Sequence, residues 1–265
     1  MPTISVVIPT YNSYRTLSEC LRSVRDQTSA CEVVVVDRFS TDGTLDITRL
    51  DGVNVIEARA NRSEARNIGL KLSSCPAVLF IDSDMILPPT LIEECEIALN
   101  QHDALLIPEI SVGNGYWASC KSIERKLYVG NDLLEAARCF KTEKVLALGG
   151  YDPLLEAGED WDLQVRAKRA GFSFGRVSSS IVHDEGNLRL VSLLKKKYLY
   201  GKTIGEYFRK NPAVAIRQVN PILRILNPSL KALTKHPYHA AGIFVVKTLE
   251  FTAASLGHLG KNVRR

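Results

Sequence analysis

Three observations predict an α/β fold built on a mostly parallel sheet flanked by helices. The runs ISVVI (4–8) and EVVVVD (32–37) are short and β-branched, as strands buried on both faces are. Through the first hundred residues such runs alternate with segments of helical spacing, an order that leads to a parallel sheet with helices on its faces. Acidic residues stand at the carboxyl ends of two of these strands, Asp37 and the pair Asp82 and Asp84, where open α/β sheets bind ligands.

Between the first two strands, Leu17, Cys20, Leu21 and Val24 recur at helical spacing. Asp42 and Gly43 fit a tight turn into a further helix. VNVIE (53–57) is a third strand, and Ser63 is placed to cap a helix carrying Ile68 and Leu72. AVLFID (77–82) is a fourth strand, followed by Thr90 as the cap of a helix carrying Ile92, Cys95, Ile97 and Leu99. Residues 103–188 are less regular. DALLIPEI (103–110) reads as a strand, 119–138 as a helix, and 159–172 as a helix closed by Gly171. Beyond 188, Asn-Pro occurs at 211, 220 and 227, and each proline disfavours helix at the residue before it. Several short helices joined by turns are expected there.

Composition sets the setting. With 45% hydrophobic and 24% charged residues over 265 positions, the chain is ordinary for a globular protein. Its six cysteines have no CxxC spacing and read as reduced core thiols, which favours the cytoplasm. The first residues lack a basic-then-apolar leader. The longest apolar candidate, 240–257, is interrupted by Lys247 and Glu250, so no membrane span is expected.

The net charge of +5 conceals an asymmetry. Residues 189–265 hold 15 Lys and Arg against Glu206 and Glu250, a balance of +13, while residues 1–188 hold 19 basic against 27 acidic residues, −8. Two parts facing different partners are therefore expected, 1–188 carrying chemistry and 189–265 forming a basic helical region.

Asp82-Ser83-Asp84 is the first chemical constellation. On an extended segment residues i and i+2 share a direction, so both carboxylates can converge on one point. Two close like charges need a cation or a raised pKa, and Mg²⁺ binds through one or two carboxylates plus phosphate oxygens. A lone DxD also occurs as a strand-end turn or a helix cap. Glu159-Asp160 is the second constellation, since a carboxylate can serve as the general base that deprotonates an attacking hydroxyl. GxxxxGK[ST], GxGxxG and zinc spacings are not found in the sequence.

In order, SVVIPTYN (5–12), VVVVDRFSTDGT (33–44), NRSEARNIG (61–69), FIDSDM (80–85) and GEDWDLQVRAKRAG (158–171) resemble the family 2 glycosyltransferases of the GT-A fold. The resemblance covers roughly residues 4–185 and implies an inverting, metal-assisted transfer of a hexose from a nucleotide-diphospho-sugar. It implies that Pro9, Thr10 and Tyr11 line the nucleotide pocket and that Asp37 hydrogen-bonds the base or ribose. The residue after that acid is often Asn or Asp in the family; here it is Arg38, which puts base contacts there in doubt. The same resemblance has Arg66 approach the diphosphate or sugar, Asp82 contact ribose and sugar, and Asp84 coordinate Mg²⁺ or Mn²⁺. His183 becomes a further metal ligand and Asp160 the general base, with Glu159 orienting the acceptor and Trp161 stacking on a sugar face. Read without the family, Arg66 is a surface ion pair with Glu64 or a neighbour, His183 a partly buried histidine, Trp161 a packing residue and Asp162 a first-turn charge favouring the helix dipole.

In the basic region, LLKKKYLYGKTIGEYFRK mixes lysines with Leu, Tyr and Phe. Arg217, Arg224 and Lys231 recur every seventh residue, with Ile222, Leu223, Ile225, Leu226, Leu230 and Leu233 between them. That mixture fits a segment lying on an anionic membrane, each basic residue contributing roughly 1 kcal/mol. A helical cap or an oligomer interface is the plainer alternative, and nucleic acid is opposed by the acidic first part. A peripheral enzyme on the cytoplasmic face of a membrane implies a lipid-linked acceptor and a GDP- or UDP-linked donor. Two rivals are a sugar nucleotidyltransferase of similar fold, whose glycine-rich basic loop IPTYNSYRTL lacks, and a non-catalytic membrane-binding module.

Overall fold

The computed structural model describes residues 1–51, 53–219 and 236–262. The chain forms two compact units: Met1–Pro108 with Glu135–Pro153 and Asp160–His183, and Glu109–Leu134 with Leu154–Glu159 and Asp184–Arg265. The expected division at residue 188 therefore differs from the packing. Glu109–Leu134 folds with the C-terminal residues because its helix is the surface on which the C-terminal helix packs, a pairing far apart in sequence.

The first unit is built on a seven-stranded sheet in the order β3-β2-β1-β4-β8-β6-β9. Its strands are β1 (Ile4–Thr10), β2 (Glu32–Asp37), β3 (Asn54–Glu57), β4 (Ala77–Phe80), β6 (Ala104–Leu106), β8 (Ala137–Lys141) and β9 (Phe174–Arg176). Pairing is parallel throughout except where β8 runs antiparallel between β4 and β6. Alternate residues feed two cores. Ile4, Val6 and Ile8 join Leu17, Cys20, Leu21 and Val24 of α1 (Tyr14–Arg25) on one face, with Ile92, Cys95 and Leu99 of α4 (Leu91–Leu99). Val7, Val34, Val36, Val78 and Phe80 form the other face with Ala65 and Leu70 of α3 (Arg62–Leu72). Gly69 lets α3 lie against β1, since a Cβ there would overlap Val7. Gly43, at φ +91°, makes the expected turn into α2 (Thr44–Asp51). β5 (Met85–Ile86) pairs antiparallel with the start of β10 (Ile181–Asn187), which sets His183 opposite Met85.

Several sequence expectations shift. Asn61, not Ser63, caps α3: its side chain accepts from Glu64 N at 3.0 Å while Glu64 accepts from Asn61 N at 2.7 Å, a reciprocal capping box. Thr90 sits at the N-cap of α4, but its hydroxyl bonds Glu94 instead of a backbone N–H. The helix expected over 119–138 is shorter, α5 (Tyr116–Lys126); Gly130 at φ +85° lies in the turns beyond it, and 137–141 is strand β8. DALLIPEI splits at Pro108 into β6 and β7 (Glu109–Asn114). α6 (Thr142–Ala147) precedes α7 (Glu159–Arg169), and Gly171 at φ +80° follows α7 as expected.

The second unit contains β7, α5, α8 (Leu190–Lys210), α9 (Pro212–Val219) and α10 (Pro237–Asn262). Two of its helices are far longer than the short pieces expected. Asn211 does end α8, but Pro212 and Pro237 stand at the first positions of α9 and α10, where a missing N–H costs nothing. The Asn-Pro pairs at 220 and 227 lie outside the described residues, as do Arg224, Lys231 and the apolar positions 222–233. Lys197 with Glu250, Gly201 with Ala254, and Gly205 with His258 pair in the same chain sense, so α8 and α10 run parallel. Among the described residues, Pro237–Gly260 of α10 is the one stretch long and apolar enough, by length and composition, to cross a membrane. The contrary expectation demanded an unbroken apolar run.

Candidate active site

The ends of β1 and β2 meet in register, Thr10 opposite Asp37. Asp37 is fully buried, and its carboxylate accepts from Thr10 Oγ1 at 2.6 Å, Ser40 Oγ at 2.6 Å and Ser40 N at 2.7 Å. It therefore anchors the strand-end loop, and the expected direct contact with a base or ribose is not what this geometry presents. Exposed there with Asn12 and Phe39 are Tyr11 and Arg38, the guanidinium 5.4 Å from the Tyr11 ring centroid. Asn12, in the left-handed region at φ 49°, bonds both Ser40 and Thr41, which closes the loop over Asp37. Pro9, one residue before Thr10, pairs with Val36.

β4 ends at Phe80, and the chain turns at once: Met85 N donates to Asp82 O at 3.0 Å. The DSD segment is a turn and not extended, so the alternation expected of an extended strand does not hold there. Each carboxylate has its own nearest partner. Asp82 Oδ1 accepts from Arg66 Nη2 at 2.7 Å, and Asp84 Oδ2 lies 3.1 Å from His183 Nε2. Burial raises the Asp82 pKa, but the charges of Arg66, Arg62, Arg138 and His183 outweigh it and hold the carboxyl well below its usual range. Cys20 lies beneath, its thiol pKa pushed far up by burial and by the charges of Asp84 and Asp82. Ser83 Oγ lies 2.8 Å from Ser13 Oγ, tying this turn to the end of β1.

Arg66 is the centre of the arrangement. Its side chain is fully buried, and its second nitrogen, Nη1, donates to Asp160 Oδ1 at 2.8 Å. One planar guanidinium thus joins the turn after β4 to the first turn of α7, the fork geometry for which arginine is suited. The Tyr151 ring lies 4.9 Å from its central carbon and is itself packed edge-on by Phe80. The expected approach of Arg66 to a diphosphate does not match this burial, and the surface ion pair with Glu64 does not form because Glu64 caps the helix.

Asp160 keeps a side chain 20% exposed, while Asp162 is buried and receives Arg166 Nε at 2.7 Å; Arg166 also donates to the carbonyls of Leu148 and Gly150. Asp162 is thus more than a first-turn charge. Glu159 is buried and Trp161 half-buried. The structure brings Asp82 and Asp160 together through Arg66, Asp84 to His183, and Thr10 to Asp37. Tyr11 stands apart from these pairs.

Sequence reasoning missed Arg62, Arg138 and Tyr151. Arg138 carries a readable signal: it is a charged residue inside the apolar strand ARCF, and it is buried.

Among the described residues no three His, Cys, Asp or Glu side chains form a group able to hold a metal ion. A cation site needs fewer protein ligands where phosphate oxygens complete it. Asp84 Oδ1 is buried and has no hydrogen-bond partner among the described residues. An orphaned carboxylate oxygen beside an imidazole fits a divalent cation.

The fold defines the class first. It is a GT-A glycosyltransferase fold, shared with a mannosyltransferase, PcManGT from Pyrobaculum calidifontis, solved in complex with GDP-Man and Mn²⁺ (TM-score 0.65, 17% identity, 97% of this chain and 87% of that one). Staphylococcus aureus TarS 1–349 in complex with UDP-GlcNAc is similar too (TM-score 0.59, 18% identity, 100% and 93%). The family follows: residues 5–147 match glycosyl transferase family 2, and the chain belongs to it. Curated relatives include the glycosyltransferase AglE of Haloferax volcanii, 36% identical over 94 residues, 32% of this chain and 31% of the relative. TarS, a poly(ribitol-phosphate) beta-N-acetylglucosaminyltransferase of Staphylococcus aureus, is 34% identical over 119 residues, 40% of this chain and 21% of the relative. The chain thus spans about a third or less of these relatives' length.

Proposed function

We propose that this protein transfers a hexose, of mannose or glucose type, from a nucleotide-diphospho-sugar to a lipid-linked acceptor with inversion at the anomeric carbon. The observation that carries the reading is the bridge through Arg66, which sets Asp82 and Asp160 on one buried cation. In this reading Asp82 faces the ribose and sugar of the donor, and Asp160 takes the proton of the acceptor hydroxyl as it attacks. Arg66 fixes the spacing of the two carboxylates. Tyr11 and Arg38 offer a face and a charge to the base, and Asp37 holds the loop that presents them. Glu159 and Trp161 are assigned to the acceptor side.

Asp84 and His183 would hold Mg²⁺ or Mn²⁺, consistent with the Mn²⁺ in the mannosyltransferase relative's complex. Bound there, the ion would neutralise charge on the leaving nucleoside diphosphate. GDP- and UDP-linked donors, each seen with a structural relative, are the two candidates. The membrane and lipid-linked parts of the reading rest on the +13 balance of residues 189–265 and on the apolar exposure of that region. Association is proposed to be peripheral, at the cytoplasmic face.

Nucleoside diphosphate release from a panel of GDP- and UDP-sugars, with Mn²⁺, Mg²⁺ or chelator, tests this function. Release with one donor, stimulated by metal and by a polyprenyl phosphate acceptor, is the expected result. Pyrophosphate release instead would identify a nucleotidyltransferase.

A further inference from the structure

α10 has two unlike faces. Its charged residues within 237–260, Lys247 and Glu250, both turn inward: Lys247 Nζ reaches Glu124 of α5 at 2.5 Å, and Glu250 receives Lys121 at 3.4 Å and Lys197 at 3.6 Å. The exposed residues are mostly apolar, Phe244, Val245, Phe251, Leu256 and Leu259 among them, and with Tyr238 and His258 they include no Lys, Arg, Asp or Glu. Phe244 and Phe251 are 69% and 66% exposed.

The two threonine hydroxyls of the exposed face bond back to the helix, while Tyr238 and His258 also stand exposed on it. Thr248 Oγ1 donates to Phe244 O at 2.9 Å, and Thr252 Oγ1 to Thr248 O at 2.8 Å. Hydroxyls that bond back to their own helix suit surroundings without hydrogen-bonding partners. A specific protein interface of this length would carry roughly one hydrogen bond per 100–200 Å² and a polar rim, more than the Tyr238 hydroxyl and His258 supply on a face otherwise made of apolar side chains and back-bonded threonines. A bilayer interface asks for neither. It favours apolar and aromatic side chains on one side of a helix with basic residues nearby, and Lys195, Lys196 and Arg209 are exposed on the neighbouring α8.

We infer that α10 lies in the plane of an anionic membrane, with the Phe244–Phe251 face sunk among the acyl chains, and does not cross it. Crossing would carry Lys247, Glu250 and their buried partners into hydrocarbon, where charged groups are costly. Lying in the plane leaves that ion cluster inside the protein. The inference rests on the membrane association proposed above and names the surface that makes it.

Cosedimentation of the full chain with vesicles of phosphatidylcholine and phosphatidylglycerol, beside phosphatidylcholine alone, tests it. The native chain should pellet with the anionic vesicles and be released by alkaline carbonate. F244E/F251E should lower partitioning about tenfold or more, and the milder F244S/F251S should lower it less, with thermal unfolding unchanged for both. Four results would overturn the inference. If the native chain binds no vesicles, the membrane reading fails with it. If both variants bind like the native chain, association uses another surface. Retention in carbonate would indicate a spanning helix. A native dimer that the variants convert to monomer, without vesicle binding, would assign the face to a second copy. Nucleoside diphosphate release in solution, measured in parallel, reports on sugar transfer separately.

Discussion

Two clusters of buried charge, one in each unit, are wired differently. In the second unit, Lys121, Lys197 and Lys247 surround Glu124 and Glu250, and every carboxylate oxygen has a partner: Glu124 is met by Lys121, Lys247 and the Tyr128 hydroxyl, Glu250 by all three lysines. In the first unit, Arg66 joins Asp82 and Asp160, both left about one-fifth exposed, and Asp84 retains an oxygen with no partner among the described residues. A saturated cluster holds helices together; an incompletely satisfied one retains capacity for a ligand. Burial of charge alone would not tell them apart, since such pairs are weak evidence of either role.

That contrast can be broken by substitution. Arg66→Leu should have the largest effect, because it leaves Asp82 and Asp160 without their shared cation. A loss of about 3 kcal/mol is expected from the cost of orphaning buried charges, read as a lowered urea midpoint, together with loss of turnover. Arg66→Lys should recover part of the stability and little of the turnover, since an ammonium cannot fork between two carboxylates.

Glu250→Gln comes next, at roughly 1–3 kcal/mol for the unmatched lysines, with donor binding intact. The native Glu250 pKa is lowered to about 2 from an ordinary 4.5: burial opposes the shift, but Lys121, Lys247 and Lys197 outweigh it. A depressed carboxylate contributes stability above its unfolded value, so this contribution should be complete above about pH 4.5 and disappear as pH falls toward 2. The Glu250→Gln variant should show a flatter pH dependence through that window by thermal unfolding.

Asp84→Asn should abolish the Mn²⁺-dependent part of the thermal shift given by donor, weakening binding about tenfold, or 1.4 kcal/mol. If metal-stimulated binding survives it, the cation is held elsewhere. Tyr11→Ala is the smallest change, raising the donor KM about fivefold, or 1 kcal/mol, at unchanged kcat. No change in KM would place the base away from Tyr11.

Legibility in the sequence followed burial. ISVVI, EVVVVD and AVLF were readable because strands covered on both faces are apolar throughout, and their order led to the parallel sheet. β8 was not readable: ARCFK carries a buried arginine, and its antiparallel insertion depends on partners 31 to 64 residues upstream. Asp82, Asp84 and Asp160 were found as residue types at strand and helix ends, but their wiring was not. The DSD stretch was read as extended, whereas Met85 closes it into a turn, and Arg66 was assigned to a ligand when its partners were the acids themselves. Those outcomes are set by contacts between segments far apart in sequence, which local pattern does not carry.

The account turns on Asp160 as the base that Arg66 holds beside the donor carboxylate, and Asp160→Asn tests it most directly. With donor binding followed by thermal shift in Mn²⁺ and turnover followed by nucleoside diphosphate release, the variant should bind donor as the native chain does and lose turnover by 10²- to 10⁴-fold. Unchanged turnover in a folded, donor-binding variant would contradict the assignment.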